Sequence, residues 1–172
     1  MPPQLKYVSV KDAYNLFKTD ACKVNKGMLV HKAIEALLEK PDAMTIYVVD
    51  NGNKVVGFIP MMDMIRVTAA RFSVHKSGVK AYFQFLSDVM DTNVDDMMRQ
   101  AITVHEDDDL MKALKMMADY NLTDLPVVDK EGRLIGELNG VEMLQYGYEG
   151  VKKGDDAYAK LERDAAASSK KK

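Results

Sequence analysis

Tryptophan is absent from the 172 residues, and cysteine occurs once, as Cys22. A single thiol cannot close an intrachain disulfide, which excludes a disulfide-stapled scaffold and points to a reducing compartment. Charge of one sign is not in excess. With 24 basic against 26 acidic residues the net charge is −2, so the surface as a whole is not built for a polyanion and nucleic acid is not expected as a partner. No apolar run approaches the roughly 18 residues that a bilayer span requires, so no membrane is expected either. The opening stretch MPPQLKYVSV lacks the charged-then-apolar order of a secretory signal, which makes cytoplasmic the expected location. What is present is ordinary for a globular chain: 47% hydrophobic and 29% charged residues can bury a core, as one compact domain or two small units sharing one. Thirteen methionines suggest an adaptable, thioether-rich interior.

An internal repeat organises the chain. Val30, Ala33, Ile34, Leu37 and Leu38 follow the spacing of an amphipathic helix, and Leu110, Ala113, Leu114, Met117 and Ala118 repeat it 80 positions later. Ala21 and Val24 precede Ala101 and Val104 by the same distance. Each helix is followed by a short apolar run, Ile46–Asp50 or Leu125–Asp129, now offset by 79. The runs end in the turns DNGN and DKEG, whose Asn and Gly tolerate positive φ, so each half predicts a hairpin. The second arms are Lys54–Ile59 and Arg133–Leu138, and another helix then begins with Met62, Ile65 and Arg66 or with Val141, Met143 and Leu144. A unit of about 55 residues is small for its own core, so two units stacked face to face are expected to share one. The residues between the halves, including Val79, Tyr82, Phe83 and Leu86, predict helix, as does the tail from Asp155 to Ala167. Ser9 and Asp12 suit the cap of an opening helix running to Phe17, and the closing lysines suit a disordered end.

The segment from Thr103 to Leu144, with LPVVD, a turn, GRLIG and a closing helix in order, resembles a CBS motif. Val24 to Ile65 is a more divergent copy that keeps the spacing, the VVD, Gly57 and Asp63, and VDDMM at Val94–Met98 leads into the second copy. The resemblance implies an α/β (α+β) fold of two pseudo-symmetric CBS motifs, each a small three-stranded sheet with two helices, packed as a Bateman module. The expected divisions are 1–72 for the first motif with its N-terminal helix, 73–93 for a helical linker, 94–150 for the second motif and 151–172 for a C-terminal helix and tail.

The resemblance also implies a cleft for an adenosine-containing ligand such as AMP, ADP, ATP or S-adenosylmethionine. In many members a hydroxyl residue at the last strand's end bonds phosphate, helped by the helix start, and an acid three places on accepts the ribose hydroxyls. Here the first copy has Pro60 in the hydroxyl position and keeps Asp63; the second has Asn139 and Glu142. Asp63 is therefore the better ribose partner, Asn139 the better phosphate partner, and Glu142 reaches one methylene further. Adenine is expected against Thr103 and Thr123, Asp124, Leu125 and Pro126, or against Val24, Thr45, Ile46 and Tyr47. His105 can line the cleft, and Met61 with Met62 and Met64 can form a soft wall.

Plainer uses exist for the same residues. Asp63 and Glu142 in a first helical turn interact favourably with the dipole, and Asn139 suits an N-cap. Glu106–Asp109 lacks the alternation and Gly of a calcium loop and suits a helix start. His31, His75, His105 and Cys22 have no metal-ligand spacing. No nucleophile elbow, Walker loop or dinucleotide glycine pattern is present, so no enzyme, metal or required cofactor is expected. The function favoured is regulatory: the resemblance implies an adenine nucleotide as the regulatory ligand and a homodimer, with an unidentified protein regulated. The alternative is a ligand-free dimerisation scaffold.

Overall fold

Each half forms a parallel strand pair extended by an antiparallel hairpin. The computed structural model describes residues 8–14, 20–74 and 78–169. In the first half, β1 (Cys22–Asn25) is followed by α1 (Val30–Leu38), β2 (Thr45–Val49), β3 (Val55–Pro60) and α2 (Met61–Val74). Next come α3 (Val79–Met90), α4 (Val94–Met97) and the two-residue β4 (Arg99–Gln100). The second half repeats the plan with β5 (Val104–His105), α5 (Leu110–Tyr120), β6 (Asp124–Val128), β7 (Leu134–Asn139) and α6 (Gly140–Ser169). Strand order is β1-β2-β3-β4 in one sheet and β5-β6-β7 in the other. The two mixed α/β halves carry the expected repeat.

The hairpins match down to their irregularities. Asp50 Oδ1 accepts from the Gly52 and Lys54 N–H groups at 2.8 and 2.9 Å, and Asp129 Oδ1 accepts from Glu131 and Arg133 at 3.0 and 2.9 Å. Positive φ falls on Asn53 (61°) in one turn and Gly132 (82°) in the other. The register shifts at Val48/Val49 and at Val127/Val128. Both central strands are buried on both faces, which explains their continuous apolar runs. Tyr47, Val49 and Phe58 pack with Leu125, Val127 and Leu138 in a core shared between the motifs, whereas Ile46, Val48 and Ile59 pack beneath α1 with Val30 and Ala33. The period-2 alternation of strands produces that division.

The segment that leads into each motif docks on the other one. Val10 donates to the Asp108 carbonyl and Leu110 to the Val8 carbonyl, both at 2.9 Å, at the start of α5. Val30 donates to Thr92 and Val94 to Met28, also both at 2.9 Å, at the start of α1. Val10 and Val94 are fully buried. The following side chains cover a glycine: a Cβ on Gly136 would sit 2.6 Å from the Tyr14 ring, and one on Gly57 would meet Met98 and the Arg99 carbonyl. These crossed lead-ins fasten the halves together.

Several local expectations change. The first sheet gains a fourth strand beyond the three expected, because Arg99–Gln100 pairs with Phe58 and Gly57. The opening helix is a single 3-10 turn over Val10–Asp12; Asp12 accepts from the Ser9 N–H and hydroxyl, each at 2.9 Å, and Phe17 lies outside the described residues. The closing helix of the second motif and the helical tail are one 30-residue helix, which Gly147, Gly150 and Gly154 do not end and no proline interrupts. Residues 170–172 and His75 also lie outside the described residues.

Candidate ligand clefts

The repeat brings two equivalent positions into contact. Thr45 Oγ1 donates to Asp124 Oδ2 at 2.9 Å, with both residues buried, and Thr123 Oγ1 adds a second bond at 3.1 Å. Burial raises the Asp124 carboxyl above its ordinary range while these two hydroxyls pull it back. Each position is tied to the helix that closes its own motif: Met61 N–H donates to the Met44 carbonyl at 2.8 Å, and Gly140 N–H to the Thr123 carbonyl at 2.7 Å. The starts of α2 and α6 are thereby placed equivalently about the central pair.

At the start of α2, Asp63 takes a bidentate ion pair from Arg99. Nε lies 2.6 Å from Oδ2 and Nη2 lies 2.7 Å from Oδ1. Arg66 Nη1 stands 3.5 Å from the same carboxylate. β4 presents Arg99, which is why its pairing with β3 matters to the site. Asp63 and Arg66 line a hollow of about 420 Å³ together with Thr92 and Asp96. Pro60 and Met61 face a different space of about 670 Å³, shared with Met62, Met117, Thr123 and Met143.

At the start of α6, the polar groups satisfy one another. Asn139 N–H donates to Glu142 Oε2 at 3.1 Å, and Glu142 N–H donates to Asn139 Oδ1 at 2.9 Å, a reciprocal capping box. Glu142 is fully buried. Glu137, on the preceding strand, is also buried, beside the enclosed Tyr47 ring. Burial pushes the Glu137 carboxyl up to about 7; the charges of Asp124 and Glu142 add to this, and Tyr47 and Lys40 oppose it. Burial and the Glu137 charge likewise raise the Tyr47 phenol. Neither the Tyr47 hydroxyl nor Glu137 Oε2 makes a hydrogen bond of normal geometry. Glu137 borders a hollow of about 330 Å³ with Asp20, Glu39, Lys40 and Asp42.

The structure thus gathers Thr45, Tyr47, Asp124, Asn139 and Glu142 around the second helix start, and sets Asp63 among arginines at the first. Val24 and Ile46 are buried in the core beneath α1, and Leu125 in the shared core. Pro126 lies opposite Glu137 in the hairpin. Thr103 is half-buried. His105 is exposed, and its N–H is held by Asp108 at 2.8 Å. Asp109 caps α5, so the acidic run is the helix start its sequence suggested. Sequence reasoning missed Arg99, Lys40 and Glu137. Only Glu137 left a signal: the repeat places it opposite Phe58, an acid where an apolar residue belongs. Among the described residues, no group of three His, Cys, Asp or Glu side chains is placed to hold a metal, and no helix is long and apolar enough to cross a membrane.

The family model for the CBS domain matches residues 9–70 and again 86–146. The chain belongs to the CBS domain family. A CBS domain-containing protein from Thermotoga maritima is 30% identical in sequence; its structure matches 84% of this chain and 96% of its own with a TM-score of 0.68. CBSX2 of Arabidopsis thaliana, solved in complex with AMP, shares the CBS-pair fold at 22% identity and a TM-score of 0.61, over 82% of this chain and 96% of that one. The magnesium transporter MgtE of Thermus thermophilus is 33% identical over 129 residues, which are 73% of this chain and 24% of the transporter. The CBS pair spans about a quarter of the length of the first curated relatives it matches.

Proposed function

We propose that this CBS pair is a regulatory module that binds an adenosine nucleotide at the start of α2 and passes its occupancy to a partner protein. The observation that carries this reading is the carboxylate of Asp63 in a first helical turn, held by Arg99 and flanked by Arg66. A ribose needs an acceptor for its hydroxyls and a phosphate needs cations, and this constellation supplies both. The nucleotide exchanges the Arg99–Asp63 pair for a ribose–Asp63 and phosphate–arginine set, with adenine against the backbone near Thr103 and Thr123–Pro126. CBSX2, solved with AMP, supports the choice of ligand. Occupancy shifts the two motifs, or two protomers, by its preference for one arrangement. A 100-fold excess of ligand over its Kd is worth about 2.7 kcal/mol, enough to bias a soft homodimer interface through the helices around Tyr82 to Met98.

Calorimetry with AMP tests the reading. Binding with a raised melting temperature is expected, and Asp63→Ala weakens it by an order of magnitude or more. Absence of heat with AMP, ADP or ATP at millimolar concentration defeats it. The second reading, an interaction scaffold without ligand, draws on the exposed apolar side chains of Met111, Leu114, Val141 and Leu144 along α5 and α6. Light scattering that finds a dimer, together with silent calorimetry, favours the scaffold.

A further inference from the structure

One stretch of the chain stands outside the repeat. The family model matches residues 9–70 and resumes at 86, so the turn after α2 and the first half of α3 belong to neither motif. The charge of this region is one-sided. From Met64 to Ser87 the sequence carries Arg66, Arg71, Lys76 and Lys80 and no aspartate or glutamate. That leaves 20 of the 24 basic residues against all 26 acidic ones elsewhere, so a positive helical pair sits on an acidic body. The same region keeps large apolar side chains in water: Val79 is 72% exposed, Phe83 61% and Ile65 50%. α2 and α3 pack against each other, and Ile65, Val79 and Tyr82 line a hollow of about 690 Å³ that no charged side chain among the described residues borders. The Tyr82 and Phe83 rings meet edge-on, with centroids 5.7 Å apart. On α3, Phe83 follows Val79 by four residues and the exposed Lys80 by three, so a cation flanks the apolar stripe.

We propose that α2 and α3 dock on an anionic membrane surface, with Val79 and Phe83 entering the bilayer interface and Lys80 meeting lipid phosphates. Surface binding needs no spanning run, only an apolar stripe edged with lysine or arginine. The charge decides the occupant. An anionic bilayer attracts every cation of this region, whereas a second copy of the chain, paired about a two-fold axis, sets the same cations against themselves. Acids return at Asp88, Asp91, Asp95 and Asp96, which leaves the far end of α3 and α4 for the contact between protomers proposed above. The membrane proposal does not depend on the nucleotide reading, because no residue of the Asp63–Arg99 pair takes part in it.

Cosedimentation of the full chain with vesicles, in the absence of any nucleotide, is the test. Vesicles of phosphatidylglycerol and phosphatidylcholine in equal parts are expected to bind at least tenfold more tightly than phosphatidylcholine alone. Raising the salt from about 0.1 M to about 0.5 M should weaken that binding severalfold. Lys80→Gln should weaken it about fivefold, the worth of one cation near a charged surface, and Phe83→Ser by at least as much. Both side chains are exposed, and should either variant fold poorly the lipid and salt comparisons decide the matter with the unmodified protein. The proposal is overturned if the two kinds of vesicle bind alike or not at all. It is overturned too if Phe83→Ser leaves binding to the anionic vesicles intact, since the region is then a charge-only site for an acidic protein or a nucleic acid. Light scattering that shows Phe83→Ser dissociating a dimer that binds no vesicles gives the face to a second copy, and equally defeats the proposal.

Discussion

The starts of α2 and α6 occupy equivalent places in the repeat and carry different charges around them. One sets an aspartate between two arginines at the surface; the other seals its asparagine and glutamate into a capping box beside a buried acid. The fold explains why both places exist. Two stacked hairpins generate two helix starts about the Thr45–Asp124 pair whatever the surrounding side chains are. The difference teaches that backbone symmetry supplies two equivalent helix starts while a few side chains, such as Arg99 and Glu137, give them different surroundings.

The strongest test of the symmetry lies in the crossed lead-ins. Tyr14 and Met98 each cover the glycine of the opposite position, but Tyr14 is 7% exposed and its hydroxyl donates to Glu106, whereas Met98 is only half-buried. Tyr14→Ala is expected to cost about 3–5 kcal/mol, the range for removing a buried aromatic ring, and Met98→Ala clearly less. Urea unfolding measures both. Equal losses would show that the two clasps share the load evenly, contrary to their burial.

Next in size is the pH response of Glu137, which has Phe58 as its counterpart. Its folded value of about 7 exceeds the ordinary 4.5. A carboxyl raised in this way holds its proton more firmly when folded, so its contribution is fully present below about 4.5 and is lost as pH rises through 7. The difference corresponds to on the order of 3 kcal/mol. Asp124, also raised by burial, acts in the same direction. The melting temperature should therefore fall between pH 5 and pH 8, and Glu137→Gln should flatten much of that fall. A variant with an unchanged pH profile would mean that Glu137 is well solvated.

These two residues also mark how far the sequence could be read. The helices at Val30 and Leu110, the two hairpins and the shared core follow from periodicity and turn residues, which are local signals. The crossed lead-ins were legible in part: Val10 and Val94 each follow a capping residue, at an offset of 84 that differs from the 80 of the helices. The Arg99–Asp63 pair was not legible. It depends on a two-residue strand reaching the edge of β3, and no spacing rule links an arginine to a carboxylate 36 positions away. Glu142 was visible as an acid at the right place, but its burial depends on the orientation of Asn139 and the packing behind it. Contacts of this long-range kind shape the two helix starts, so the fold was clearer than the clefts.

The central pair gives a smaller effect. Thr45→Val keeps the shape and removes one donor to a buried carboxylate that retains a bond from Thr123. About 1–2 kcal/mol of destabilisation is expected while Asp124 is ionised, with less at low pH, where a protonated Asp124 no longer needs the donor as strongly. Thr123→Val, whose bond is longer and whose side chain is more exposed, should cost less than Thr45→Val. The reverse order would place the weight of the pair on the second motif alone.

The smallest expected effect separates the two helices that follow β1 and β5. α5 begins at Asp109, whose side chain accepts from the Met111 N–H at 2.9 Å, and ends at Asn121 in the left-handed region. α1 begins at Leu29, 80 positions earlier, in the same extended conformation but without a side chain able to cap. Asp109→Ala should cost about 1 kcal/mol, the usual worth of an N-cap. Leu29→Asp supplies the missing acceptor at a backbone already shaped for it, but removes a side chain that is 39% exposed and places a charge near Asp95, which itself accepts from Gly27. Its gain should therefore stay below the loss at Asp109, by a few tenths of a kcal/mol in thermal unfolding. If Leu29→Asp destabilised by as much as Asp109→Ala, the two helix starts would differ in packing rather than in capping, because the backbone geometry is common to both.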